Sequence, residues 1–285
     1  MSYGVQTLSL LIAAGIAAAA APDARAEDRA ATGAASPWVV GAEAKVRLVS
    51  GADKQGRPLF GLTFRLRDGW KIFWRSPGAP GVPPQLDWRG SRNLTSGTLV
   101  WPAPQLFTSF GFHARGYGGN VTLPIRVVAT DATRPVKARL LVRYQVCKDV
   151  CIPGEARLAL TLPVKAPPHA AIQAALSRAP RQAGKDFPVW QVRLDARRPD
   201  ARQLVINIRH RHRRLARPVV ILEPLQRLRL GRTGPVKKQG DGSLSVVIPI
   251  LGGKPVPAGL TTRVTVLDGA RSWEKTVPVS GLLTR

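Results

Sequence analysis

Sulfur and acid are both scarce in this chain. Its 285 residues hold two cysteines and one methionine, and 17 Asp+Glu stand against 43 Lys+Arg for a net charge of +26. Because Met1 is the only methionine, a Met-rich copper(I) site is excluded. Beyond residue 26 no segment reaches the roughly 20 apolar residues that a membrane-spanning helix needs. A phosphate-binding glycine loop, a G-x-S-x-G elbow, an H-E-x-x-H zinc motif and a heptad run are all missing. No cofactor and no metal is expected. The shortage of acid favours anionic partners without choosing among them. The excess is divided evenly, +13 on residues 27–183 and +13 on residues 184–285, which reads as a habit of the whole chain. Its sharpest run, Arg209-His210-Arg211-His212-Arg213-Arg214, reads as a solvated strand end and turn. Aromatics do not interleave with it as a base-stacking surface requires, so nucleic acid is not an expected partner.

What is present falls into four pieces. Residues 1–26 read as a signal peptide: Leu8–Ala21 is apolar, and Ala24-Arg25-Ala26 is an A-x-A cleavage site. The n-region lacks Lys and Arg, and a short membrane anchor is the alternative. A removed signal implies a periplasmic location, where disulfides are permitted. Residues 37–165 alternate short apolar runs with Gly and Pro, the pattern of an all-β, immunoglobulin-like β-sandwich. Strands are expected at Val39–Val49, Leu59–Leu66, Trp70–Trp74, Leu94–Trp101, Val121–Val128, Ala138–Val146 and Ala156–Leu162. Residues 166–183 carry Ile172, Ala175 and Leu176 at helical spacing between prolines, a short linker helix. Residues 184–285 return to strand patterning as a second, smaller β-domain.

Both cysteines lie in Tyr144–Ala156, YQVCKDVCIPGEA, with only Lys148, Asp149 and Val150 between Cys147 and Cys151. Along an extended strand their Cα atoms would stand about 13 Å apart, whereas a disulfide needs about 4.4–6.8 Å. A bonded pair therefore demands a turn. As scaffolding such a bond does little: a five-residue ring stabilises by about 2 kcal/mol in the chain-entropy model, against about 3 for a 15-residue loop. Small or exposed disulfides suit exchange chemistry. Lys148 and Arg143 favour a thiolate, while Asp149 opposes that or moves a proton. Redox exchange, a structural staple and a metal site completed by His113, His169, His210 or His212 all remain open on spacing alone.

The same segment resembles the cysteine region of the N-terminal periplasmic domain of the DsbD thiol:disulfide interchange family, and its ScsB-like branch more closely. Gly69-Trp70-Lys71-Ile72-Phe73-Trp74-Arg75-Ser76-Pro77-Gly78, Pro83-Pro84-Gln85-Leu86-Asp87-Trp88, Trp101-Pro102-Ala103-Pro104 and Val121-Thr122-Leu123-Pro124 resemble that family's blocks in order. The resemblance implies an immunoglobulin-like domain that relays electrons in the periplasm. It implies Cys151 as nucleophile and Cys147 as resolving cysteine, with Tyr144, Lys148 and Asp149 around them. It further implies a cap loop whose ring covers the pair, here Phe110 followed by Gly111 and Phe112. Where the family carries acidic residues before the cap ring, this chain has Thr108 and Ser109. The implied partners are thioredoxin-like periplasmic proteins and a separate membrane reductase, since no transmembrane domain is expected here. The competing expectation is a non-catalytic envelope adaptor, with the bridge as a local clip and the basic surface as its docking face.

Overall fold

A computed structural model describes residues 34–78, 81–195, 202–225, 228–252 and 259–280. The expected signal at residues 1–26 lies outside them. The first part contains β1 (Val39–Val40), β2 (Ala44–Ala52), β3 (Pro58–Leu66), β4 (Lys71–Phe73), β5 (Gln85–Asp87) and β6 (Ser96–Leu99). It continues with β7 (Gln105–Ser109), β8 (Phe112–Gly118), β9 (Asn120–Val128), β10 (Val136–Cys147) and β11 (Cys151–Leu162). After α1 (Ala170–Ser177) come β12 (Arg181–Gln182), β13 (Val189–Asp195), β14 (Gln203–Arg209), β15 (Val219–Leu222) and β16 (Arg229–Leu230). The last strands are β17 (Lys237–Lys238), β18 (Leu244–Leu251), β19 (Thr261–Asp268) and β20 (Arg271–Ser280).

Two sheets make the immunoglobulin-like sandwich, one ordered β1-β2-β3-β9-β6 and the other β11-β10-β4-β8-β7, with β5 also on β10. Alternation explains the packing, because successive side chains on a strand face opposite sides. On β10, Ala138, Leu140, Val142, Tyr144 and Val146 point inward and are buried, while Lys137, Arg139 and Arg143 point out. They meet Val46, Leu48, Phe60, Leu62, Phe64, Leu123 and Ile125 from the facing sheet. The third sheet runs β15-β19-β20-β13-β14-β18-β16 and closes its own core around Trp190, Ile206, Val246 and Val266. This is the second, smaller β-domain. The helix also does more than link: Ile172 is fully buried against Val49 and Leu59.

Strand positions match the alternation closely, with two informative differences. The expected first strand breaks into β1 and β2 at Gly41-Ala42-Glu43. The hairpin β7–β8 is absent from the expected strands, because glycines and polar residues break its pattern. Gly116 is required there: a Cβ would stand 2.0 Å from the Ile72 carbonyl oxygen on β4. The strand can cross so close only without a side chain.

The two β-regions meet through Arg75, just beyond β4. Its side chain, 11% exposed, binds the carboxylates of Glu223 at 2.6 Å and Glu274 at 2.5 Å, donates to Thr265 Oγ1 at 3.2 Å, and lies over the Trp74 ring. Ile221 from β15 adds an apolar contact to the sandwich core. Arg232 and His113 approach at 2.7 Å in the same junction.

Candidate functional site at the end of the β10–β11 hairpin

Twelve consecutive pairs hold β10 to β11, from Val136–Leu162 to Cys147–Cys151. The cysteines are the last pair before the turn, bonded, with Cα atoms 4.1 Å apart. The turn that the spacing demanded is this hairpin. Lys148, Asp149 and Val150 span it, all exposed, and the Lys148 amide donates to the Val150 carbonyl.

Alternation puts Cys147 on the outer face of its sheet, opposite to Tyr144 and Val146. The outward Lys137, Arg139 and Arg143 are exposed and Leu141 and Gln145 half-buried, yet Cys147 is only 1% exposed. The cover is a small apolar cluster separate from the sandwich core: Phe73 of β4 and Ala114 of β8 are buried on Cys147, and Phe107 of β7 and Cys151 pack against them. Phe73 and Phe107 stack with ring centres 6.1 Å apart. Cys151 is half-buried, the more open cysteine of the two. Two rungs along the hairpin from the pair begins a groove of about 370 Å³, lined by Val82, Gln85, Arg143, Tyr144, Gln145, Pro153, Gly154 and Glu155 and by neither cysteine.

The other residues anticipated around the pair are distributed unequally. Phe110 and Gly111 form the two-residue tip of the β7–β8 hairpin, both left-handed, with φ of 50° and 76°. Such tips favour Asn-Gly, and a bulky residue with positive φ is costly. Phe110 and Phe112 are 49% and 57% exposed. Among the aromatics, the rings packed in the cysteine cluster are Phe73 and Phe107. Tyr144 belongs to the opposite face, edge-on to Phe64 at 5.2 Å in the core, where burial raises its pKa. Lys148 extends along Gly69, whose notional Cβ would lie 3.0 Å from Lys148 Cε. Two signals pointed to the missed cluster. Ile72-Phe73-Trp74 is a continuous apolar run on a strand covered on both faces, and Cys147 has the wrong parity for the core.

Behind the cluster the same strands lean on the second domain. Arg115, next to Ala114, is pushed to lower pKa by burial, with Glu223 opposing. Among the described residues no three His, Cys, Asp or Glu side chains gather as a metal would need. His210 instead packs edge-on to Phe187 at 4.7 Å and to Trp273 at 5.9 Å. No described helix is long and apolar enough to cross a membrane.

With this geometry in place, comparison is decisive for the first domain. Residues 39–163 match the family described as "Thiol:disulfide interchange protein DsbD, N-terminal". They form a DsbD N-terminal-like domain. The match includes both cysteines and every strand of the sandwich. The chain also resembles the crystal structure of the N-terminal periplasmic domain of ScsB from Proteus mirabilis, at 24% identity and a TM-score of 0.69. That likeness spans 87% of this chain and 98% of the other, so the DsbD N-terminal-like domain and much of the second β-domain share a fold with ScsB. No curated protein matches.

Proposed function

We propose that the chain is a periplasmic thiol–disulfide exchange protein that relays reducing equivalents through Cys147 and Cys151. The supporting observation is the asymmetry of the pair: one cysteine sits beneath an apolar cluster, and the other is half-open at a hairpin end. In the reduced protein, the Cys151 thiolate attacks a sulfur of a partner's disulfide. The partner's S–S bond breaks, one partner thiolate leaves, and a mixed disulfide forms. The Cys147 thiolate then attacks Cys151, and the mixed bond breaks to release the second partner thiolate. Two electrons have passed to the partner, the Cys147–Cys151 bond has formed, and the protons end on the partner's thiols. Cys147 in its apolar cover is held as the resolving group, which a buried neutral thiol suits until it is needed.

Phe110, Gly111 and Phe112 are assigned to partner contact. A large ring in a left-handed tip, half exposed, stores conformational cost where a docking surface would use it. Thioredoxin-like periplasmic proteins, and a membrane reductase on a separate chain, are the proposed partners. The proposed divisions are a signal over 1–26, the exchange domain over 37–165, the linker over 166–183 and a second domain over 184–285. The reduction potential of the pair tests the reading. A value between about −180 and −230 mV, the range of exchange proteins, supports it. A value below about −300 mV, with the pair oxidised in cells regardless of any reductase, overturns it in favour of the clip-bearing adaptor.

A further inference from the structure

The helix α1 covers only part of the outer face of the five-stranded sheet. Ile172 occupies the row of Val49 and Gly61, where the missing glycine side chain makes room. In the next row the register sets Arg47 opposite Thr63 and Thr63 opposite Thr122; in the row after, Arg65 stands opposite Asn120. Trp38 joins them, with the guanidinium carbons of Arg47 and Arg65 at 4.4 and 4.7 Å from its ring centre. Arg178, at the end of α1, completes the wall of a pocket of about 280 Å³.

Three guanidiniums, two threonine hydroxyls and an asparagine amide line this pocket, and no carboxylate does. Elsewhere the scarce acids are assigned to arginines: Asp53 to Arg57, Asp87 to Arg89, and both Glu223 and Glu274 to Arg75. Among the described residues, Arg47, Arg65 and Arg178 have no such partner. Arg47 Nε is buried without any hydrogen-bond acceptor, an unusual state for a charged donor. Thr63 and Thr122 share one hydrogen bond at 3.0 Å, which leaves one hydroxyl proton free to donate. Burial and the Arg47 charge both lower the His169 pKa, which disfavours a further positive charge beside Arg47.

We propose that this pocket binds a phosphoryl group. Converging guanidiniums recognise multiply charged oxyanions through charge-assisted and bidentate hydrogen bonds. Three fixed positive charges are balanced better by a dianion than by a single carboxylate or a halide. A phosphoryl oxygen would meet the guanidinium ends that line the pocket, with Arg47 Nε buried behind them. The remaining space and the Trp38 ring suit the organic part of a phosphate ester or a lipid headgroup.

Calorimetric titration of the full chain with inorganic phosphate, at ionic strength held constant with sodium chloride, tests this. The triple variant Arg47→Gln, Arg65→Gln, Arg178→Gln is compared with a charge-matched control, Arg126→Gln, Arg134→Gln, Arg229→Gln. Saturable one-to-one binding that the triple variant weakens roughly tenfold or more, and the control leaves intact, is expected. Equal losses in both variants, or no saturable binding to the wild type, overturns the site, because the general charge of +26 would then account for any response. Should the triple variant misfold, the Arg47 Nε–H resonance of the wild-type chain decides: phosphate shifts it and chloride does not, or the assignment fails. Vesicles of phosphatidylglycerol against phosphatidylcholine separate the sources. Arginine-dependent binding to the former assigns a lipid headgroup, its absence alongside phosphate binding assigns a soluble ester, and vesicle binding that ignores the three arginines without phosphate binding overturns the proposal.

Discussion

Two turns in this protein hold together residues four apart, by different chemistry. Asp53 and Arg57 lie inside the β2–β3 loop, one step beyond its last strand pair Ala52–Pro58, and Cys147 and Cys151 are themselves the last pair of β10–β11. The first turn is held by two backbone bonds, Asp53 N–H to the Arg57 carbonyl and Gly56 N–H to the Asp53 carbonyl, and by a carboxylate: Asp53 Oδ1 accepts from the Gln55 and Arg57 amides at 2.9 and 3.0 Å, and Oδ2 accepts from Arg57 Nε at 2.7 Å. Gly56, with φ of 75°, supplies the left-handed step. The second turn has no side-chain cap of that kind and no left-handed residue, only one short backbone bond and the disulfide. An interval of three residues therefore closes without sulfur elsewhere in the same fold. Where sulfur is placed at such a turn, closure alone does not account for it, which favours the proposed exchange role.

Removing the sulfur is the sharpest way to break this comparison. The double variant Cys147→Ser, Cys151→Ser should lose all exchange with disulfide-bearing partners while remaining folded. Its stability should fall by about 2 kcal/mol, the value for so small a ring. Thiol trapping and a urea titration read the two effects. Cys147→Ser alone should accumulate a mixed disulfide through Cys151. Complete unfolding of the double variant would make the bond scaffolding after all.

After that loss of function comes the largest effect on stability, at the junction behind the cysteine cluster. Arg75→Ala leaves Glu223 and Glu274 facing each other without their shared cation and should cost about 3 kcal/mol, the low end for breaking a buried pair. Since Phe73 lies two residues earlier on β4, amide exchange should quicken there and at Ala114 as well as across β15 and β20. Exchange confined to the second domain would mean that the clamp does not support the site.

How far the sequence revealed all this depends on distance along the chain. The turn at the cysteines followed from four residues and bond geometry. Strands such as Ala138–Val146 followed from alternation, because one buried face imposes it locally. The cover on Cys147 did not, since Phe73, Ala114 and Phe107 come from three strands between 33 and 74 residues earlier in the chain. Parity marked Cys147 as outward, but nothing local says what lies over an outward residue. Phe107 also sits in a hairpin disguised by Gly111, Gly116 and Gly118.

That cover can be tested apart from the fold. Phe107→Ala removes a half-buried ring from a satellite cluster, so the stability loss should stay near about 1 kcal/mol, well short of the 3–5 for a fully buried phenylalanine. The disulfide should react several-fold faster with a small reductant, read by stopped-flow fluorescence or thiol release. An unchanged rate would show that the ring does not limit access. Phe110→Asn at the hairpin tip should act oppositely on the fold, raising the melting temperature slightly because Asn tolerates the left-handed conformation, while slowing exchange with protein partners and not with small reductants.

The smallest effect belongs to the hairpin without sulfur. Burial alone would raise the Asp53 pKa, but hydrogen bonds from the Arg57 backbone and side chain and from the Gln55 amide outweigh it and hold the group below its usual value. A carboxylate depressed in the folded state contributes stability that is fully present above its unfolded pKa of about 3.9. That contribution is lost as pH falls through the lower, folded value. Asp53→Asn should therefore cost no more than about 1 kcal/mol at neutral pH, since Arg57 is 66% exposed. The gap between variant and wild type should close progressively below about pH 4 in urea titrations. The cysteine hairpin, lacking a titrating cap, should add no comparable acid dependence when its two cysteines are serine. If instead Asp53→Asn unfolds the protein, or its deficit persists unchanged in acid, the carboxylate is not what closes that turn, and the contrast between the two hairpins no longer argues that sulfur is there to react.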